Sequence, residues 1–347
     1  MILPQDNAMK TTLCISFILL ALWGNAQPAT PYKNLVFEGA GIRGLAYGGA
    51  IEVLEEKGVL AGIEKVGGTS AGAITAMLLA LGYSASEITE LVYRTRFNRF
   101  NSGRFFFVGG LYRMHTRYGW YRGDKFSAWL ENAIRHKTGN ADITFADLRA
   151  QGYKDLYITA TCLNRQQLLV FSAESYPHMK IKDAVRISMS VPLYFEAVFI
   201  DQTGRVIPRP TDTRELDLVM DGGITANFPL FLFDSTVQVG QQTQRLANPA
   251  TLGIRIDTDT QIALDRQDRS LEQYPISSLQ GYMQAFYVYV LESLNRPQLT
   301  EADWQRTISV SSAGVGPRVK RLSMAQKQAL LDSGRTGVLT FLTSDSP

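Results

Sequence analysis

Apolar residues in the first third of the chain come in short bursts punctuated by glycine. "NLVFE" from Asn34 is one burst, and Gly39 to Gly44 break it. Tyr47, Ala50, Ile51 and Leu54 then recur at helical spacing until Gly58 stops the helix. "IEKVGG" is a second short strand, and "SAGAITAMLLALG" is an apolar helix ending at Gly82. Strand, helix, strand, helix with tight glycine junctions predicts an α/β fold with a mostly parallel sheet covered on both faces. Further on, "DLYITATCL" and "LLVFSAE" read as strands joined by a turn at Asn164-Arg165, and "IKDAVRISMS" reads as a short helix halted before Pro192. "LDLVMDGG" and "ATLGIRID" are strands, and Asp201 to Asp217 is a surface loop. "SLQGYMQAFYVYVLESLN" and "SMAQKQALLDSG" are the clearest late helices.

The N-terminus departs from this pattern. Met9-Lys10 precede "TTLCISFILLALWG", an apolar run too short to span a bilayer, followed by the small residues Gly24 and Ala26. That layout predicts a signal peptide over residues 1–26, with Met9 a possible start and export of the mature chain to periplasm, envelope or medium; an uncleaved anchor or buried helix is the alternative. Residues 27–347 are then expected to form one domain, with its motif-bearing core over about 34–257 and a helical part over about 270–347. Cys14 would leave with the leader, so Cys162 remains alone, reads as a buried core thiol, and excludes both an internal disulfide and a cysteine-built zinc site. A hydrophobic content of 45% and a net charge of +3 are ordinary for a globular protein and do not by themselves indicate a nucleic-acid binder.

Candidate chemistry sits at the strand ends. Gly39-Ala40-Gly41-Ile42-Arg43-Gly44 satisfies G-x-G-x-x-G after a strand, which suits either a dinucleotide pyrophosphate or backbone N–H groups aimed at an oxyanion. Gly68-Thr69-Ser70-Ala71-Gly72 is a G-x-S-x-G between a strand and a helix, where a nucleophile elbow would lie; a plain helix N-cap is the alternative for Ser70. A serine nucleophile needs a base. His115, His136 and His178 are the only histidines, none follows Asp221 as the usual Ser–Asp–His order would need, and no two have metal-ligand spacing. Asp221-Gly222-Gly223 closes a strand, which in a parallel sheet ends at the same crevice edge as Ser70, and offers a carboxylate that desolvation could raise towards neutrality, although Asp-Gly also marks ordinary turns.

Taken in order, GAGIRG, GTSAG and DGG resemble the patatin-like phospholipase family, here in a bacterial, exported form. "SMSVPLYFEAV", "DGGITANFPL" and "QALLDSGRTGVLTFL" are similar to further parts of that family, so the resemblance spans about Asn34 to Asp257 plus the tail. It implies a three-layer α/β/α fold and a Ser–Asp dyad that cleaves lipid carboxylic esters, of phospholipase A or lysophospholipase type, through an acyl-enzyme and without cofactor or metal. Carried over, Ser70 is the nucleophile and Asp221 the proton acceptor. The loop Gly39, Ala40, Gly41, Ile42, Arg43 and Gly44 forms the oxyanion hole, and Gly68, Gly72, Gly222 and Gly223 support the motifs. Two positions depart from the pattern: Ala40 replaces a middle glycine, and Glu196-Ala197 replace prolines.

Two other functions remain open. A dinucleotide-dependent oxidoreductase would need an acid at the end of the second strand, and the nearest, Glu64, begins that strand instead. A catalytically silent lipid-binding protein of the same fold is the other. From Tyr93 to Arg122 the chain carries seven arginines, ten aromatics and no acid. Such a segment suits a lipid surface, single-stranded nucleic acid, or a cap whose aromatics pack on the core; with a lipid substrate, membrane contact without nucleic acid is the expectation.

Overall fold

The computed structural model describes residues 31–101, 108–274, 276–317 and 320–344. The N-terminal run read as a signal peptide, and Phe105 to Phe107, lie outside them.

One sheet of eight strands organises the described residues: β1 (Asn34–Phe37), β2 (Lys65–Gly68), β3 (Asp155–Cys162), β4 (Gln167–Phe171), β5 (Val198–Ile200), β6 (Asp217–Asp221), β7 (Thr251–Asp257) and β8 (Thr307–Ser311). β8, β7, β1, β2 and β3 are parallel neighbours in that order. β4 and β6 lie antiparallel to β3, and β5 antiparallel to β6. The class is therefore α/β with a mostly parallel sheet, and β1 shows why it is covered twice. Leu35 and Phe37 enter the large core, while Val36, pointing the other way, packs with Phe228 and Leu230.

The helices that matter for the site are α1 (Ala46–Glu56), α2 (Ala71–Ala80), α3 (Ile181–Ser188), α4 (Asp259–Gln267), α5 (Leu279–Asn295) and α6 (Met324–Thr343). α2 is buried along its whole length, as its unbroken apolar sequence requires. α6 does not stop at Gly334 but continues through it to Thr343. A Cβ on Gly334 would fall on the Ala46 carbonyl and one on Gly49 on that of Leu331, so these glycines let α1 and α6 touch backbone to backbone.

Two expectations about the sheet need correction. The part beyond residue 270 is not only helical, because β8 joins β7 as an edge strand. Its five residues, TISVS, are too short to announce themselves, and their place is fixed by the partner strand. The strand bearing Asp221 is also not one of the parallel set. β4 occupies Ile158–Cys162 on one edge of β3, so β2, paired with Asp155–Ile158, and β6, paired with Ala160–Cys162, share the other edge. They run towards each other and stop on either side of Thr159.

Candidate active site

That head-on meeting brings Ser70 and Asp221 together. β2 ends at Gly68, opposite Ile158, and β6 ends at Asp221, opposite Ala160. The hydroxyl of Thr159 fills the gap, 2.5 Å from that of Thr69, which also donates to Ala226 O at 2.7 Å. A Cβ on Gly222 would sit 2.5 Å from the Thr159 hydroxyl, so this turn admits only glycine without a shift.

Ser70 stands at the turn from β2 into α2 with φ 53° and ψ −118°, a conformation strained for any residue with a side chain. Its side chain makes no capping bond to α2, so the N-cap alternative fails. The turn is possible because Gly68 and Gly72 bring helix and sheet into contact: a Cβ on Gly68 would lie 2.5 Å from the Gly72 carbonyl, and one on Gly72 2.6 Å from Glu38 O. The hydroxyl lies 3.4 Å from Met189 Sδ. The end of α3 and the residues after it hold both motifs by their backbones. Ser70 N–H donates to Ser188 Oγ at 2.9 Å, and Asp221 N–H donates to Ser190 O at 3.0 Å. The buried Arg186 reaches back to Ser190 Oγ at 2.5 Å.

Asp221 is buried. Its Oδ1 accepts from Gly223 N–H at 2.7 Å, and its Oδ2 has no hydrogen-bond partner. Burial pushes its carboxyl up to about 7, against the Gly223 N–H and, more weakly, the nearby Ser70 hydroxyl, which favour the ionised form. Ser70 and Asp221 form no hydrogen bond of good geometry here, and both residues border one cavity of about 700 Å³.

The Gly39–Gly44 loop forms another wall of that cavity. Gly41 needs its positive φ of 56°, whereas Ala40, at φ −126°, occupies backbone that does not require a glycine. The loop's N–H groups are unequal. Gly39 donates to Asn227 O at 2.9 Å, Ile42 to Pro317 O at 3.4 Å and Arg43 to Ala40 O at 3.2 Å. Among the described residues, the Ala40 and Gly41 N–H groups meet no acceptor. Gly44 lies behind the cavity, where a Cβ would press on Ala71 at 2.9 Å. Arg43 borders the cavity, its Nε donating to Ala40 O at 3.2 Å.

Sequence reasoning missed a second buried cluster beside this loop. Arg255, fully enclosed within β7, lies 2.6 Å from Asp257, 3.8 Å from Glu292 and 3.9 Å from Glu38. Both Glu38 carboxylate oxygens are met, by Ile256 N–H at 3.0 Å and Asn227 Nδ2 at 3.3 Å, which ties β1 to β7 under the loop. Of the other sequence candidates, His115, His136 and His178 are exposed and none borders the cavity. Glu64 precedes β2 and pairs with Lys33 at 2.7 Å, so no acid closes β2 to take a ribose. Glu196, one of the two departures, lies 3.3 Å from Arg117 and 3.8 Å from Arg113, fastening the basic segment beside Phe195, which lines the cavity. Phe97 and Phe100 of that segment pack on Phe126 and Trp129.

This geometry accords with comparison to known proteins. A family model for patatin-like phospholipases matches residues 35–234, from β1 to beyond the Asp221 turn. The chain belongs to the patatin-like phospholipase family. Membership places it among lipid hydrolases. It is 28% identical over 305 residues to the uncharacterized protein R571 of Acanthamoeba polyphaga mimivirus, covering 87% of this chain and 91% of the relative. It is 26% identical over 205 residues to the probable lipid hydrolase 463L of invertebrate iridescent virus 6, covering 57% and 62%. It is also 32% identical over 215 residues to the uncharacterized protein YqhO of Bacillus subtilis, covering 58% and 67%. Relatives thus occur in viruses and in a bacterium, which does not establish a bacterial, exported group. Among solved structures, VipD from Legionella pneumophila shares the fold, with a TM-score of 0.54 and 15% identity over 91% of this chain and 67% of that one.

Proposed function

We propose that this patatin-like protein is a serine acyl hydrolase that cleaves lipid carboxylic esters, of phospholipase A or lysophospholipase type, with Ser70 as nucleophile and Asp221 as its base. The observation that carries the reading is the free, buried Oδ2 of Asp221, held near neutrality beside a strained Ser70.

A rotation of the Ser70 side chain presents its proton to Asp221 Oδ2 while Oγ bonds to the ester carbonyl carbon. The carbonyl oxygen becomes an oxyanion and accepts from the Ala40 and Gly41 N–H groups, each such donor typically worth about 10²–10³ in rate. Collapse breaks the bond to the alcohol, which leaves with the proton from Asp221, and an acyl-Ser70 ester remains. Water then gives a proton to Asp221 and its oxygen to the carbonyl. The second collapse releases the fatty acid and returns the proton to Ser70. Arg43 supports the loop and adds positive potential beside the oxyanion.

Exposed Leu111, Tyr112 and Tyr118, with exposed Arg96 and Arg99, make the Tyr93–Arg122 segment a contact for a lipid surface in this reading. Export through a leader cut after Ala26 belongs to the same proposal, and N-terminal sequencing of the mature chain tests it. The reaction is tested by fluorophosphonate labelling and a panel of phospholipids, lysophospholipids and short-chain esters. Wild type labels and hydrolyses a glycerophospholipid, and Ser70→Ala does neither. Normal labelling of Ser70→Ala overturns the nucleophile, and hydrolysis of short-chain esters alone overturns the phospholipase type.

A further inference from the structure

We infer that the outer face of α5 is a docking surface for a lipid bilayer, placed so that contact with the bilayer acts directly on the wall of the Ser70 cavity. The helix has two apolar faces. Ala285, Tyr287, Val288, Tyr289, Leu291 and Glu292 line the cavity. Leu279, Tyr282 and Phe286 recur at intervals of three and four, which sets them along one stripe on the opposite side, and Tyr289, three residues on, stands where the stripe meets the cavity rim. They are 79%, 53%, 56% and 63% exposed, and Ile276, just before the helix, is 57% exposed. A contiguous apolar patch of this kind on a folded domain marks an interaction site.

The occupant follows from chemistry and length. Residues 276–291 contain no charged side chain, so nothing in the stripe offers a protein partner an ion pair or repels an anionic headgroup. Cations lie on a segment that borders the same cavity. Exposed Lys320 and Arg321 follow the cavity-lining Val315 to Pro317, and no acid occurs from Ser311 to Ser323. A neutral aromatic stripe with cations on a neighbouring cavity-wall segment complements the interface of an anionic bilayer, where tyrosine places its ring among acyl chains and its hydroxyl among headgroups. At 17 residues α5 is about 25 Å long, and among the described residues no helix is long and apolar enough to cross a membrane. The helix therefore lies in the plane of the bilayer surface. Its inner face touches the cavity, so a lipid drawn from that surface has one helix to pass.

The choice of lipid as occupant rests on the proposed function, and the test keeps the two apart by measuring binding without turnover. Hydrogen–deuterium exchange is followed on the full chain, with and without phosphatidylcholine vesicles containing phosphatidylglycerol. Protection of 276–291 on vesicle addition is the expected result. The triple variant Leu279→Ser, Tyr282→Ser, Phe286→Ser loses that protection and hydrolyses vesicle lipid at least about tenfold more slowly, while a monomeric short-chain ester is cleaved as by wild type. Leu246→Ser, at an exposed leucine on the separate hairpin strand Gln242–Leu246, behaves as wild type. No protection of 276–291, protection retained in the triple variant, or protection that appears without vesicles as protein concentration rises (a second copy on the stripe) each overturns the inference. Failure to cleave any ester, with protection intact, overturns the proposed function alone.

Discussion

Two buried acidic sites adjoin one cavity, the Glu38 cluster through Asp257 and Glu292 and the other through Asp221, and they differ in what meets their oxygens. At Glu38, both carboxylate oxygens accept hydrogen bonds and Arg255 stands 3.9 Å away, with Asp257 and Glu292 sharing the same guanidinium. At Asp221, one oxygen accepts from Gly223 N–H and the other has no hydrogen-bond partner. Burial raises the carboxyl at both sites. Of the two carboxylates, only that of Asp221 keeps an unbonded oxygen, with the Ser70 hydroxyl near enough to favour its ionised form. Burial alone does not make a base: a paired and fully bonded carboxylate fastens the scaffold, whereas a half-bonded one beside a hydroxyl can take a proton, the role proposed for Asp221.

The most severe break falls on the Asp221 side. Ser70→Ala and Asp221→Asn are each expected to lower lipid hydrolysis by about 10⁴-fold or more, and the double variant by little beyond either, because the two act as one unit. Steady-state assays of the three proteins check this. On the Arg255 side the same severity appears as instability. Arg255→Leu leaves Glu38 and Asp257 buried without their cation and is expected to lose about 3–5 kcal/mol, measured by urea unfolding.

Smaller changes sharpen the contrast. Ser188→Ala removes the acceptor of the Ser70 N–H without touching the reacting atoms, and an activity loss of about tenfold is expected, roughly the worth of one hydrogen bond. Fluorophosphonate labelling of this variant slows in proportion while its melting temperature changes little. The smallest effect is on stability against pH. The folded-state value of Asp221 is raised from 3.8 to about 7, so the folded protein holds more protons than the unfolded chain within that window, and the stability contribution falls as pH climbs through it. Asp221→Asn removes that slope. Its melting temperature relative to wild type is expected to be higher at pH 8 than at pH 5, read by calorimetry.

Much of this was legible in sequence where local chemistry decides it. Glycine spacing located the Ser70 turn, the close contact of α2 with the sheet, and the loop that borders the cavity. Asp221 was placed at the same crevice as Ser70, but for an incomplete reason. Its motif was read as the end of a parallel strand, whereas β6 arrives antiparallel and meets β2 across Thr159. An apolar run does not encode the direction in which it pairs. Arg255 was hidden inside an apolar strand, since one charge in "TLGIRID" looks like an outward position until the layer covering that face is known. Ser188 and Ser190 lay in "SMSVPLYFEAV", yet which backbone groups they hold depends on contacts 118 and 31 residues away in the chain. The exposed stripe of α5 was missed because a helix with two apolar faces reads as buried.

The pH dependence of fluorophosphonate inactivation tests the central claim most directly, because it reports the nucleophile's activation without a lipid interface. If Asp221 is the base, the inactivation rate of wild type rises through about pH 7 and then levels, tracking deprotonation of its carboxyl. In Asp221→Asn the rate is far lower and the inflection is gone. A wild-type profile with no inflection near pH 7, or the same inflection persisting in Asp221→Asn, contradicts the account.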